Sequence, residues 1–279
     1  MKKILFIIVA IFLCQQSFAQ RSEVGFMMGT SFYQGDLNTN QFFVAPQVAG
    51  GILFRYAIDP RLAIKFSGYY GTLVGDDRNR GGDDYRNLRF KSFILDISPQ
   101  LEWNLRKYAT GSLYNFAPYL FVGVSIFFYN PRTELDGDWY DLQPLGTEGQ
   151  GTTLYPDRSP YSLTQVAIPF GFGFKLSLSK NASLGIEYGA RKTFTDYIDD
   201  VSKTYASPST LEAENTEVSK ILADRSDLNY PEGYDRGNEN NKDWYTFVGL
   251  TLTFKIQSRD GSCPAYRSGT NYRDFFKYH

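Results

Sequence analysis

The sequence contains a single histidine among its 279 residues, and that histidine is the last residue, His279. A Ser-His-Asp arrangement or a histidine-bearing metal site would have to be built on this terminal residue, and no carboxylate dyad with positioned partners can be assembled either. The sequence therefore predicts no enzyme, no catalytic residue and no cofactor.

Long hydrophobic runs are also missing after the first 20 residues. No later stretch approaches the roughly 18 consecutive apolar residues of a transmembrane helix, so only strands remain as membrane-spanning elements. At the N-terminus, two lysines precede the apolar run 4–13, and Ser-Phe-Ala at 17–19 supplies the small residues that a signal peptidase reads. We interpret 1–19 as a secretory signal peptide.

This signal has one alternative, a lipoprotein signal ending at Cys14. The apolar residues 11–13 directly before that cysteine include no small residue, so cleavage after Ala19 is favoured. Removal of 1–19 takes two lysines and changes the net charge from −1 to −3. A weakly acidic mature chain indicates no nucleic-acid partner.

The stretch 163–194 reads as one β-hairpin with a three-residue turn at 179–181. On its first arm, alternate residues from Val166 to Leu178 are apolar, and most positions between them are glycine, small, polar or charged; the second arm repeats the pattern from Leu184. A uniformly apolar face that backs onto a face of glycine and polar residues is typical of a transmembrane β-barrel. Aromatic residues at 17% suit the girdles of such a barrel.

Alternation of this kind occurs in eight segments of the mature chain. They are 23–33, 47–57, 61–73, 89–105, 117–129, 163–178, 182–194 and 244–256. The connections alternate between short, at 58–60, 106–116 and 179–181, and long, at 34–46, 74–88, 130–162 and 195–243. We predict an all-β, eight-stranded antiparallel up-and-down barrel over 20–256 in the cell outer membrane.

The alternation of connections also predicts the orientation of this barrel. Long loops lie outside the cell and short turns in the periplasm, so that both termini are periplasmic and 257–279 forms a periplasmic tail. Within the last long loop, Ser207 followed by Pro208 and apolar residues at helical spacing from Leu211 to Leu222 predicts a short amphipathic helix.

Charged residues fall on the inward face of the predicted strands. They are Arg55, Lys65, Asp96, Glu102, Lys175, Glu187, Arg191 and Lys255. The interior of an eight-stranded barrel is just wide enough for side chains to fill it, and unpaired charges there would be costly. We favour a structural network of salt bridges, with a proton path or a substrate site as the alternative.

For each of two loop motifs, a ligand site is the alternative to a purely structural role. Asp196, Asp199 and Asp200 lie within five residues after the seventh segment, where hard oxygen ligands suit calcium. The favoured interpretation is that these carboxylates cap turns and bind backbone amides or arginines. The segment 145–151 carries three glycines, which indicate tight turns, whereas a phosphate cradle lacks the lysine and the strand–helix context.

Five segments of the sequence each have a distinctive order of residues. They are 33–37 (Tyr-Gln-Gly-Asp-Leu), 145–151, 161–175, 193–202 and the Cys-Pro pair at 263–264. Thr-Glu-Gly-Gln-Gly followed by Thr-Asp-Tyr-Ile-Asp-Asp-Val-Ser in one barrel is the most specific part. Together these segments, over nearly the whole mature chain, resemble the PorG-type outer-membrane barrel of the Bacteroidota type IX secretion system.

This resemblance implies a non-enzymatic protein that docks the periplasmic ring of the secretion machine. The implied partners are the ring lipoprotein and its partner protein, in addition to the outer-membrane lipids around the barrel. Two alternatives remain open: a small surface barrel for adhesion or resistance, and, less favoured, an outer-membrane enzyme. A periplasmic tail and the longer turn 106–116 favour docking over a role that needs outer loops alone.

The tail carries the candidate docking residues. They are Cys263, Tyr266, Arg267, Tyr272, Arg273, Phe275 and Phe276. Tyrosine, phenylalanine and arginine are typical anchors of protein interfaces. Cys263 is the only cysteine left in the mature chain, and in an oxidising periplasm it forms either an intermolecular disulfide or a free thiol buried in the tail.

Overall fold

A computed structural model describes residues 22–38, 43–79, 86–112 and 115–256. The strands are β1 (Ser22–Gln34), β2 (Gln47–Ala57), β3 (Leu62–Asp76), β4 (Arg89–Asn104), β5 (Phe116–Gly123), β6 (Ser125–Leu135), β7 (Asp138–Asp141), β8 (Thr164–Ser177), β9 (Ala182–Thr193) and β10 (Trp244–Lys255). Within these ranges, none of the helices is long and apolar enough to cross a membrane. The predicted signal peptide 1–19 and tail 257–279 lie outside the described residues.

The strands close into a ring in which all neighbours are antiparallel. The strands other than β7 follow one another around the ring in chain order, from β1 to β10. Strands β5 and β6 occupy one position, one above the other, and both pair with β4 on one side and with β8 on the other. It is closed by β1 and β10, which pair from Glu23–Lys255 to Gln34–Trp244. This architecture confirms the predicted eight-stranded barrel.

The predicted fifth strand, 117–129, is one ring position built from two segments. The hydrogen-bond ladder is interrupted at Val124. The register with β4 does not change across the interruption, since Gly123 pairs with Gln100 below it and Ile126 pairs with Ile97 above it. Val124 donates its N–H to the carbonyl of Pro99 at 3.2 Å, but proline has no N–H to return the bond. The sequence pattern shows the alternation but not this interruption.

Alternate side chains point to opposite sides of the ring, as the period of two requires. Outward residues such as Phe26, Ile52 and Phe172 are 57–63% exposed, and the apolar belt they belong to covers every strand of the ring. Inward positions hold buried polar and charged side chains together with several glycines. An apolar belt around a polar, crowded interior is the arrangement of a membrane-spanning barrel.

The long connections build a folded cap over one end of the ring. Strand β6 extends beyond the predicted end at 129 and turns at Asp136 and Gly137, both with positive φ, into β7. Further turns of 3₁₀-helix lie at Asp77–Asn79 and Gln143–Leu145.

The predicted helix of the last loop exists but is divided. An α-turn at Pro208–Thr210 runs into a π-turn at Leu211–Asn215, and a second helix, α1, spans Glu217–Ala223. The division falls at Thr216, which is extended and whose hydroxyl caps α1 by accepting the N–H of Ser219 at 3.0 Å.

Candidate functional site

The half of the barrel interior that is farther from the cap, which we call the lower half, is filled by a chain of ion pairs. Arg55 bonds Glu23 at 2.9 Å and Glu102 at 3.0 Å, and the second oxygen of Glu102 accepts from Lys175. These four side chains come from β1, β2, β4 and β8, and each is at most 9% exposed. Residues up to 73 positions apart are thus joined because the ring brings inward faces of different strands together.

A second group of pairs fills the upper half. Lys65 contacts Glu187 at 2.5 Å, and the hydroxyl of Tyr119 donates to the same carboxylate at 2.7 Å. Asp96 accepts from the hydroxyl of Tyr245 at 2.7 Å and lies 3.8 Å from the guanidinium of Arg191. The guanidinium of Arg191 is also 4.7 Å from the ring centroid of Phe247.

These residues form a group that we call the interior plug, and its charges balance. Its carboxylates are Glu23, Asp96, Glu102 and Glu187, and its cations are Arg55, Lys65, Lys175 and Arg191, all buried. Seven of the eight inward charges predicted from the sequence belong to it. The eighth, Lys255, is half-buried at the end of the ring, opposite Glu23 in the register of β1 and β10.

The connection after β4 closes the barrel at the end opposite the cap. Thr110 reaches into the ring and its hydroxyl donates to Glu23 at 2.5 Å, while Ser183 lies 2.8 Å from the same hydroxyl. The buried ring of Tyr108 lies 4.7 Å from the ammonium of Lys175. The sequence predicts only a turn at 106–116 and does not reveal this inward contact, because the polar residues of the turn carry no periodic signal.

The cap contains a second set of buried charges, which we call the cap core. It consists of Asp36, Asp77, Arg86, Glu148, Asp196, Asp199, Asp200, Arg236 and Asp243. Three of the segments that carry the family resemblance meet here, namely 33–37, 145–151 and 193–202. They are distant along the chain, and the loops bring them together above the ring.

Glu148 is the centre of this contact between segments. Its carboxylate accepts the backbone N–H of Ser202 at 2.9 Å and of Lys203 at 3.0 Å, and pairs with Arg236 at 3.1 Å. The side chain is fully buried. The glycine segment and the acidic segment are therefore one packed unit.

Asp200 is held by neighbouring hydroxyls. It accepts from Thr147 at 2.5 Å and from Tyr161 at 2.6 Å, and Arg236 lies 3.9 Å away. Burial, with a smaller contribution from the charge of Glu148, raises the pKa of Asp200 to about 6, although Arg236 and the two hydroxyls act in the opposite direction.

Asp199 and Asp243 share one hydroxyl. Tyr33 lies 2.5 Å from Asp199 and 3.1 Å from Asp243, and each carboxylate also accepts one backbone N–H, from Val201 and Ile198 respectively. Burial raises the pKa of both carboxyl groups well above the usual range, and repulsion from neighbouring carboxylates raises it further. A carboxyl pair of this kind favours retention of a proton.

Asp196 is buried with less support. It is 3% exposed, and neither of its carboxylate oxygens has a hydrogen-bond partner among the described residues. Burial, together with the charges of Asp36 and Glu148, raises its pKa to about 7, while Ser202 and Lys242 lower it in part. The cap core thus keeps acidic groups that favour the neutral form.

The three calcium candidates Asp196, Asp199 and Asp200 do not converge. Asp199 is directed to Tyr33 and Asp200 to Thr147, and within the described ranges no group of three or more possible ligands has the arrangement of a metal site.

The glycine segment forms turns whose amides are used within the cap. Gly146, Gly149 and Gly151 have positive φ, and the N–H groups of Gly149 and Gly151 donate to carbonyls of Gly146 and Arg158.

Several residues of the cap core escaped the sequence reasoning. Arg236 and Asp243 lie in loops where no periodicity marks a buried side chain. Tyr33 and Glu148 belong to the quoted motifs 33–37 and 145–151, and that membership is the one signal the sequence offers for them. The candidate docking residues from Cys263 to Phe276 lie outside the described residues.

Comparisons with known proteins give one family and several solved structures. The model of the family described as a domain of unknown function, DUF6089, matches residues 2–143 and 150–265. No curated protein sequence matches the chain.

Three of the similar solved structures are the following. Ail, the attachment invasion locus protein of Yersinia pestis, is 6% identical with a TM-score of 0.40, over 84% of this chain and 96% of that one. Neisserial surface protein A is 11% identical with a TM-score of 0.41, over 84% and 96%. The outer membrane protein OprG from Pseudomonas aeruginosa is 11% identical with a TM-score of 0.37, over 85% and 98%.

Proposed function

Since the chain belongs to the DUF6089 family and forms a closed ring with an apolar belt, we propose that it is a non-enzymatic outer-membrane barrel that docks or anchors the periplasmic ring of a type IX secretion system. The barrel acts through its surfaces, as a fixed point in the membrane, and conducts nothing through its interior.

The observation that supports this proposal most is the interior plug. Four carboxylates and four cations, at most 9% exposed, fill the lumen, and Tyr108 and Thr110 close its lower end. A substrate site or a proton path would need groups open to water or to a ligand, whereas these groups are buried and each lies within 4 Å of an opposite charge. This packing favours the structural interpretation of the inward charges over the transport alternative.

The docking role itself rests on the resemblance of the quoted segments and on the tail 257–279. The proposed partners are the ring lipoprotein and its partner protein, recognised by the aromatic and basic residues of the tail, with Cys263 able to form a disulfide. A surface barrel for adhesion or resistance is the alternative, and it would need only the cap.

Deletion of 261–279 separates these two functions. We expect the shortened barrel to assemble in the outer membrane, seen as a heat-modifiable gel band, and to release the periplasmic proteins that co-purify with the full chain. The matched control is Cys263→Ser, which removes only a disulfide and any Cys263-dependent shift on non-reducing gels. Retention of every co-purifying protein after the deletion would refute docking and favour the surface barrel.

Membrane insertion is tested by the two faces of β8. Phe172→Arg places a charge on the exposed apolar belt and is expected to cost about 2–4 kcal/mol of unfolding free energy near the bilayer midplane. The neighbouring Gly173→Ala is the control on the inward face. Its Cβ would lie 2.4 Å from the ring of Tyr119, so we expect this variant to lose stability by crowding, whether in vesicles or in detergent. A Phe172→Arg protein as stable as the parent in vesicles would contradict the membrane assignment.

A further inference from the structure

The outer wall of the barrel carries a group of basic side chains where β4 and β6 leave the apolar belt on the cap side. We call Arg89, Lys91, Arg132 and Trp139 the rim patch. Lys91 and Arg132 are exposed and lie directly opposite one another in the register of β4 and β6, on the outward face. Like charges opposite each other destabilise a sheet unless something lies between them.

The height of the patch follows from the outward residues below it. Along β4 the outward face carries Phe93, Ile97, Leu101 and Trp103. The ten-residue step from Phe93 to Trp103 covers about 33 Å along the strand, or roughly 25 Å of height at the tilt of a membrane barrel, which is the whole apolar band. Lys91, the next outward residue, therefore lies at the level of the lipid headgroups.

Trp139 adds the aromatic part of this surface. It is 46% exposed on β7, and the ammonium of Lys91 lies 5.8 Å from its ring centroid. Tryptophan beside basic residues is typical of the membrane–water interface, where the ring faces the acyl chains and the cations face the headgroups.

Carboxylates near the patch pair with neighbouring arginines and leave Lys91 without an ion-pair partner among the described residues. Asp141 pairs with Arg132 at 2.6 Å, and Asp76, opposite Arg89, pairs with Arg78 at 2.6 Å. Glu134 is opposite Trp139. No carboxylate of the described residues lies within ion-pair distance of Lys91.

Arg225 adds a further cation above the patch. It donates to the carbonyl of Glu134 at 3.1 Å, which Arg89 also approaches at 3.4 Å. Burial, and to a smaller extent the charge of Arg89, lowers the pKa of Arg225, while the carboxylates of Asp136, Asp76 and Glu134 act in the opposite direction.

We propose that the rim patch binds the phosphate group of an anionic lipid headgroup in the leaflet on the cap side of the barrel. A phosphate between Lys91 and Arg132 removes the repulsion of the opposed pair, and the guanidinium supplies hydrogen bonds suited to phosphate oxygens. This inference rests on the proposed membrane location, and it names anionic lipids as the class that binds the outer wall of the barrel.

The full chain refolded in phosphatidylcholine nanodiscs tests this site by titration with phosphatidic acid. We expect a rise in melting temperature that saturates, and an apparent affinity about tenfold weaker for Lys91→Gln/Arg132→Gln. Asp141→Asn, which frees Arg132, is expected to tighten binding. The matched control is Lys192→Gln, an outward cation beside Trp244 with no second cation opposite it in register, for which we expect less than a twofold change.

The outcomes separate the two proposals. Equal affinity of the parent and the double variant, with both inserted in the nanodisc, overturns the lipid site and leaves the barrel function untouched. An equal rise in melting temperature with inorganic phosphate at the same concentration also overturns it, because a free anion would then suffice. A chain that never inserts overturns the membrane function itself.

Discussion

The interior plug and the cap core both bury charged side chains, but they balance them differently. The plug holds four carboxylates and four cations, whereas the cap core holds seven carboxyl groups and two arginines. In the balanced set every charge has opposite charges close by, whereas an acidic excess is buried only when some groups keep their protons. The cap is therefore expected to respond to pH near neutrality more strongly than the barrel.

The largest expected effect comes from unbalancing the plug. Glu102→Gln leaves Arg55 and Lys175 facing one neutral amide in a dry interior. We expect a loss of about 3–5 kcal/mol in unfolding free energy, because a buried charge without its partner keeps its desolvation penalty. Urea unfolding of the full chain in lipid vesicles, followed by tryptophan fluorescence, measures this loss.

The control for this variant removes one charge of each sign. Glu102→Gln/Lys175→Met is expected to recover part of the loss, since the excess cation is gone. A loss below about 1 kcal/mol for the single variant, the value of a surface pair, would mean that water reaches the plug.

The next largest effect is expected in the cap, from Glu148→Gln. The new amide brings an N–H group towards the N–H groups of Ser202 and Lys203 and leaves Arg236 without its carboxylate. We expect the cap to lose about 3 kcal/mol of local stability. Hydrogen exchange should accelerate across 195–243 while the ring strands stay protected, and equal protection of the cap in both proteins would contradict the role of Glu148.

A smaller effect is expected from pH alone. The folded pKa values of about 6 for Asp200 and about 7 for Asp196 exceed the usual value of roughly 4 for an unfolded aspartate. Their stabilising effect is therefore complete below about pH 4 and is lost as the pH rises through 6 and 7. Proteolysis of the cap should accelerate about tenfold or more from pH 5 to pH 8, which corresponds to one unit of pKa shift.

Asp199→Asn sharpens this comparison by fixing one group of the cap core in a neutral form. The amide oxygen accepts the N–H of Val201 as Oδ1 does in the parent, and the amide N–H donates to the hydroxyl of Tyr33, which in turn donates to Asp243. We therefore expect the pH dependence of cap proteolysis to become shallower. The barrel ring, measured by heat modifiability on gels, should change less than the cap between pH 5 and pH 8 in both proteins. A cap more resistant at pH 8 than at pH 5 would reverse the sign argued here.

The smallest effect is expected from calcium. Asp199 and Asp200 are directed to different partners and do not converge with Asp196, so we expect no binding heat in calorimetry and no shift in melting temperature on the refolded barrel. Saturable heat that disappears in Asp196→Asn would instead show that the cap core rearranges around a cation.

Much of the barrel was predictable because its signal is local. Neighbouring residues of a strand point to opposite faces, so the sequence of β8 alone separates Phe172 outside from Gly173 inside. The lengths of the connections then predicted an up-and-down order. The break at Val124 was not predictable from its own strand, because its cause is Pro99 on the neighbouring one.

The same distinction applies to the candidate sites. The sequence by itself determined the fold class, the inward and outward faces of the strands and seven of the charges in the plug. Each of these features depends on residues that lie only a few positions apart. Only the tertiary structure decided that Lys65 meets Glu187, 122 positions away, and that Glu148 joins the acidic segment to Arg236. Such pairings depend on strand register and on how the loops pack over the ring. A period of two excludes a slip by one residue, but it does not distinguish registers that differ by two and says nothing about the loops.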